Sequence, residues 1–321
     1  MPERRSLVAA FTAIYLIWGS TYLAIRFALE AFPPFIMAGL RFLAAGLVMY
    51  LWARLQGAAR PRPVHWRSAA ILGLLFFFFG NGGVVWAEQR VPSGLTAVLV
   101  AVVPVWTVFL EWIRPGASRP SPGTWLGMAL GFAGVVWLMV PTRGTDAGGV
   151  DPAGASVLML ASLLWACGTI YSRGAPLPPS TRLVSGMEML CGSGFLLAAS
   201  VVAGEWQAFQ PGAVTLKPGL AIAYLLVFGS LIGFTAFAWL TRATTPVKVS
   251  TYAFVNPMVA VILGWALGGE RLTSRGLVAS LLIVGAVIMI ILGRSAAGTT
   301  VPRRREPGES PPITDELPVA G

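Results

Sequence analysis

The sequence predicts an all-α integral membrane protein of ten transmembrane helices, arranged as two inverted five-helix repeats. Three observations carry that prediction. Of 321 residues, 56% are hydrophobic and only 11% are charged, whereas roughly a quarter of a soluble domain is charged. Apolar runs close to the roughly 20 residues that cross a bilayer recur ten times, between short loops rich in Pro, Gly and Arg. The stretch WGSTYLAIR, Trp18 to Arg26, returns as WACGTIYSR, Trp165 to Arg173, 147 residues further on.

Taken in order, the runs are Leu7 to Leu29, Phe35 to Leu55, Ser68 to Ala87, Gly94 to Ile113, Thr124 to Val140, Pro152 to Tyr171, Leu183 to Ala203, Gly219 to Leu240, Val249 to Gly268 and Gly276 to Leu292. The first follows a basic start, like a signal peptide, but no small-x-small cleavage site closes it, so it is expected to stay as a span. Pro33 and Pro34 are expected to stop it, since neither supplies an N–H. In the third, the GNGG of Gly80 to Gly83 should loosen the helix near mid-membrane. Pro104 and Pro257 mark helix breaks and gating points in the fourth and ninth. After Gly293 the chain is rich in Pro and charge without periodicity, which predicts a disordered cytoplasmic tail over 294–321.

Loop cations set the orientation. With both termini cytoplasmic, sixteen Arg and Lys fall inside and five outside, while Arg26 and Arg41 lie within spans. The same 147-residue offset carries Gly39 onto Gly186 and Arg41 onto Glu188, and Pro33-Pro34 find a counterpart in Pro178-Pro179. VPSGLTAVLVAVVP, Val91 to Pro104, parallels TPVKVSTYAFVNP, Thr245 to Pro257. Five spans per half is odd, so the second half must enter from the opposite side.

These motifs together resemble the ten-helix EamA-like transporters of the drug/metabolite transporter superfamily. The resemblance rests on WGSTY with Arg26, Pro33-Pro34, GLRF at Gly39 to Phe42, PSGLTAV ending at Pro104, and VNPMVAVILGWALGGERLT at Val255 to Thr273, and it covers residues 7 to 293. It implies an inner-membrane carrier with a first EamA-like repeat at 1–147 and a second at 148–293. It also implies a central cavity lined mainly by the first, third and fourth helices of each half, with the fifth and tenth peripheral. One departure stands out: the second half has GGERLT, Gly268 to Thr273, where the place after Pro104 reads EWIRPGASRP. Neither Glu111 nor Glu270 is therefore taken as a site residue.

Ionisable groups within spans need a reason, because a charge at the bilayer centre costs on the order of 3 kcal/mol by insertion scales. Arg41 lies about seven residues, roughly 10 Å, below the outer face. It either snorkels and ties down carbonyls, or fixes an anionic substrate group, or pairs with a carboxylate. Glu188 is either paired with Arg182 or Arg173, or a proton-coupling carboxylate. Glu88, at the outer end of the third span, is either a solvated boundary residue or a second proton-coupling candidate. Asn81 needs a hydrogen-bond partner from a neighbouring helix or a substrate, and Asn256 sits beside the carbonyl that Pro257 frees. Trp18 and Tyr22 share a helix face with Arg26, and Trp165 repeats Trp18; the alternative to a cavity role is the packing or interface anchoring expected of Trp52, Trp66 and Trp112. The substrate-binding candidates are thus Trp18, Tyr22, Arg41, Asn81, Trp165 and Asn256.

Other functions are excluded or demoted. The net charge of +10 is spread over short loops with no aromatic-interleaved basic surface, so it gives no nucleic-acid footprint. Cys167, Cys191 and the single His65 build no metal, haem or disulfide framework, and no metal or other cofactor is expected. No G-x-S-x-G, H-E-x-x-H or Walker A motif occurs, so neither an enzyme nor an ATP-driven pump is expected. The expected partners are a small-molecule substrate and the lipid bilayer, with a homodimer left open. The expected function is a secondary transporter, in the export direction, for amino-acid-like, carboxylate or drug-like solutes. The alternatives are a flippase for lipid-linked sugars or polyprenyl phosphates, where Arg41 would meet phosphate, and a non-transporting membrane enzyme or scaffold.

Overall fold

The computed structural model describes residues 4–114, 120–139, 150–244, 249 and 251–297. Among the described residues, ten longer helical segments follow one another. They are α1 (Arg4–Ala28), α2 (Pro34–Leu55), α3 (Pro63–Ala87), α4 (Ser93–Trp112), α5 (Pro122–Met139), α6 (Pro152–Ser172), α7 (Thr181–Val202), α8 (Leu216–Ala243), α9 (Tyr252–Gly268) and α10 (Ser274–Ala297). A one-turn helix, Glu205–Ala208, lies between α7 and α8, and no strand occurs among the described residues. Among the described residues, seven segments are long and apolar enough to cross a membrane, and Pro122–Leu138, Tyr252–Gly268 and Ser274–Ile290 are shorter apolar helices.

The prolines act differently from expectation. α1 ends at Ala28, well before Pro33, and the intervening turn closes through Leu29 and Phe32 N–H groups bonded to Ile25 and Ala28 carbonyls. Pro33 instead caps the next helix at φ −60°, ψ 145°, and Pro34 is its first residue, where a missing N–H costs nothing. The remaining orphan donors meet a residue the sequence did not single out. Glu205, from the turn after α7, accepts from Phe35 N at 3.1 Å and Ile36 N at 2.8 Å, a negative charge on the positive end of α2.

Pro257 also departs from its expected role, because α9 runs through it without interruption. Near Pro104 the expected break is present: α4 breaks at Ala101 and Val102 and resumes at Val103. Glycine loosening in α3 takes a specific form, a π-helical stretch over Gly73–Gly82 that includes Asn81. A second π stretch, Leu225–Ile232, interrupts α8. Such widened turns leave backbone groups and side chains re-aimed, and they collect at functional sites.

Packing is helix on helix throughout. α2 lies along α7 and α5 along α10; α1 meets α8 and α9, while α6 meets α3 and α4. α3 also packs on α7 and α8 on α2, with α4 against α9. The α2–α7 contact is close because glycines face each other. A Cβ on Gly46 would stand 3.1 Å from the Gly186 carbonyl oxygen, and one on Gly186 would stand 2.7 Å from Tyr50 N. Small residues of this kind let backbones approach where hydrocarbon removes any gain from burying apolar surface. Most of the predicted tail, residues 298–321, lies outside the described residues, as do Arg119, Arg143 and Lys248.

Candidate functional site

Where α1, α3, α4, α6, α8 and α9 converge they enclose a cavity of about 230 Å³, to which α2 adds Arg41. Among the described residues, α5 and α10 contribute none to its lining. The cavity brings together Trp18, Tyr22, Arg41, Asn81, Trp165 and Asn256, all six residues singled out from sequence, along with Pro104 and Pro257. Glu188 and Glu88 are not among its lining residues.

Two tryptophans line it, and each is seated by a glycine of a π-interrupted helix. A Cβ on Gly233 of α8 would stand 2.4 Å from Trp18 Nε1, and a Cβ on Gly80 of α3 would stand 2.7 Å from Trp165 Cε3. Only hydrogen at those positions leaves room for the indoles. Trp18 donates its Nε1 proton to the Gly229 carbonyl at 3.2 Å and meets Phe234 and Tyr252 edge-on, with ring centroids 5.4 and 5.3 Å away. Trp165 packs on Phe76 at 4.9 Å between ring centroids.

The polar groups are few. Asn81 does not reach a neighbouring helix as expected; its Nδ2 donates to the Phe76 carbonyl at 3.0 Å, five residues back in its own helix, a partner that π geometry supplies. Asn256 is 6% exposed and its Oδ1 has no hydrogen-bond partner. Such an acceptor costs about 1–3 kcal/mol while it stays unmatched. The carbonyl freed by Pro257 belongs to Ala253, itself a lining residue, which explains why a proline is tolerated inside α9.

Arg41 is 5% exposed, and its Nε donates to the Ser230 hydroxyl at 2.9 Å. Its guanidinium also lies over the Phe42 ring at 4.6 Å. It neither snorkels nor pairs with a carboxylate: its hydrogen-bond partner is a neutral hydroxyl. No Asp or Glu appears among the described lining residues, and the other lining cation, Arg173, is paired with Glu111. The cavity therefore holds one buried cation without a counter-charge, an open side-chain acceptor and a mostly apolar wall that includes five aromatic side chains.

Two further expectations are corrected, and one repeat-related pairing is added. Glu188 pairs with neither Arg182 nor Arg173: Arg182 donates to Gln56 and lies over Trp52, and Arg173 serves Glu111. Glu88 is not solvated but 7% exposed, with both carboxylate oxygens unpartnered. Glu270 and Glu111, set aside on sequence, each hold an arginine of the repeated motif, Arg26 and Arg173. Arg26 thus leaves the Trp18–Tyr22 face to meet Glu270, which also accepts from Ser93 N at 2.7 Å, Ser93 Oγ at 2.7 Å and Gly94 N at 3.1 Å. Sequence hid this equivalence because Glu111 follows Pro104 by seven residues whereas Glu270 follows Pro257 by thirteen. The shared Arg26 and Arg173 were the signal that could have found it.

A bundle of apolar helices around one central cavity with a buried, uncompensated arginine is the architecture of a membrane transporter. The chain belongs to the EamA-like transporter family, whose pattern matches residues 6–140 and 152–292. Among its relatives, the "Uncharacterized inner membrane transporter YedA" of Escherichia coli (strain K12) is 40% identical over 291 residues, covering 90% of this chain and 91% of that protein. "WAT1-related protein At3g02690, chloroplastic" of Arabidopsis thaliana is 26% identical over 281 residues, 86% of this chain and 67% of the relative. A solved crystal structure at 21% identity shares the fold with a TM-score of 0.60, over 92% of this chain and 99% of that one.

Proposed function

We propose that this protein is a secondary transporter that exports small organic solutes bearing a carboxylate, amino-acid-like solutes foremost, across the cytoplasmic membrane by alternating access. The observation that carries the reading is Arg41, buried on the cavity wall with only a hydroxyl as partner. Holding a guanidinium there without an anion is costly, and a solute carboxylate supplies the missing charge in a bidentate geometry. Asn256 Oδ1 accepts from a solute ammonium, and Trp18 and Trp165 clasp its apolar body. Asn81 and Tyr22 complete the lining, and the α4 break at Pro104 and the freed carbonyl at Pro257 supply polar backbone on the solute's path.

The ten segments are read as ten spans in two inverted repeats, 1–147 and 148–293, with both termini cytoplasmic. The contacts support this: α2 pairs with its counterpart α7 and α5 with α10, while α1–α9 and α1–α8 are matched by α6–α4 and α6–α3. The π stretches of α3 and α8 are likewise counterparts. Proton coupling is assigned to Glu88 first and Glu188 second. Glu88 lies just past α3; burial and the nearby Glu270 charge push its carboxyl up, against the opposing pull of Arg26.

Binding tests the substrate class directly. A panel of amino acids, monocarboxylates and cationic amphiphiles is added to purified protein and thermal unfolding is followed. Amino-acid-like carboxylates raise Tm in the wild type and not in Arg41→Ala; stabilisation by cationic amphiphiles alone contradicts the reading.

A further inference from the structure

The Arg26–Glu270 and Arg173–Glu111 pairs stand at opposite ends of one helix. Glu270 is held at Ser93 and Gly94, where α4 begins, and Glu111 lies eighteen residues further along, one residue from its end. At 1.5 Å per residue the two carboxylates are separated by roughly 27 Å along α4, about the thickness of a bilayer's hydrocarbon core. Each pair ties the end of one helix of the first half to one of the second: α1 to the loop after α9, and α6 to α4. The arginines are the same residue of the repeated motif.

The two pairs are not equally buried. Glu270 has 7% of its side chain exposed and receives three donors besides Arg26, whereas Glu111 is 27% exposed and Arg173 56%. Arg173 lines the cavity, but Arg26 and Glu270 do not. The cavity thus reaches the Arg173 pair and stops short of the Glu270 pair.

We infer that these pairs are the two gates of the transport cycle, the Glu270 pair sealing one face of the cavity and the Glu111 pair sealing the other in alternation. The inference rests on the transport reading above for its purpose, though not for its geometry. The gates differ in construction. The Glu270 gate needs a carboxylate at position 270, because Ser93 N, Ser93 Oγ and Gly94 N all donate to it. The Glu111 gate lies nearer water, with Arg173 56% and Glu111 27% exposed.

The test uses the full chain with Cys167 and Cys191 replaced by alanine and one reporter, Ala101→Cys, on the cavity wall. A membrane-impermeant maleimide is applied to each side of vesicles, and Gln89→Cys, exposed near Ser93, marks the Glu270 face. Glu270→Gln raises reporter labelling from the Glu270 face about fivefold or more, Ser93→Ala raises it less, and Glu111→Gln shifts labelling toward the other face. The exchange Arg26→Glu with Glu270→Arg does not restore wild-type labelling, because Ser93 N, Ser93 Oγ and Gly94 N then face a cation. Unchanged labelling in both Gln variants, or a shift toward the same face in both, overturns the gates. The readout needs no solute: absent flux with these labelling shifts contradicts the transport reading alone, and normal flux with unchanged labelling contradicts the gates alone.

Discussion

Gly80 and Gly233 each occupy a place where a methyl group would strike an indole ring. Gly80→Ala and Gly233→Ala should each cost about 1–3 kcal/mol by overpacking, read as a lower Tm in detergent, and should cut flux because Trp165 or Trp18 is pushed into the cavity. Glu270 gives a pH signature. Burial acts to raise its carboxyl, but donors from Ser93, Gly94 and Arg26 outweigh it and hold the carboxyl below its ordinary value. A lowered value means that the stabilisation is present above the ordinary carboxylate pKa of about 4.3 and is lost as pH falls through the lowered one. Thermal stability measured between neutral and strongly acid pH should therefore show an acid limb that Glu270→Gln reduces. At this scale the sequence was most legible where a polar residue interrupts an apolar run: Trp18, Tyr22, Arg41, Asn81 and Asn256 all reach the cavity. It was least legible where the neighbour decides, since position at the edge of a run makes Glu88 look solvated while distant helices bury it.

The elements that shape the cavity are the irregular ones. In α3, ten residues of π-helix carry Asn81 to the wall and place the Phe76 carbonyl under its amide. Deleting Phe79 should relax the stretch toward α-helix and rotate Asn81 and everything up to Glu88 by about 100°; flux should vanish although helix content by circular dichroism stays within a few per cent. The Glu205 cap belongs to the same scale. Glu205→Ala should cost about 0.5–2 kcal/mol, seen as a lower Tm, with the solute preference unaltered. Helix existence was readable from apolar run length, and α1 to α10 each overlap their predicted runs. The π stretches were not readable, because a glycine-rich run only permits a widened turn and the packing of Trp165 on Gly80 selects it. The role of Pro33-Pro34 was misread for a related reason: the same residues can stop one helix or start the next, and Glu205 from a distant segment favours the start.

For the whole molecule, the repeated motif ties sequence to mechanism. Trp18 and Trp165 face one cavity from α1 and α6, while Arg26 and Arg173 reach opposite ends of α4. The sequence exchange of Arg41 for Glu188 is not mirrored in the cavity, which takes Arg41 and leaves Glu188 outside. That asymmetry leaves Arg41 as the lining cation without a carboxylate partner, which is the basis for the proposed anionic solute. Proton coupling should show as pH-gradient-driven flux that Glu88→Gln abolishes, with Glu188→Gln having the smaller effect. The measurement that bears most directly on transport through this cavity is uptake of a metabolite panel into proteoliposomes containing the wild-type chain, Arg41→Ala or Asn81→Ala. The wild type should accumulate at least one amino-acid-like or carboxylate solute, with flux lowered about tenfold or more in Arg41→Ala and less in Asn81→Ala. Solute flux that both substitutions leave unchanged would contradict the account.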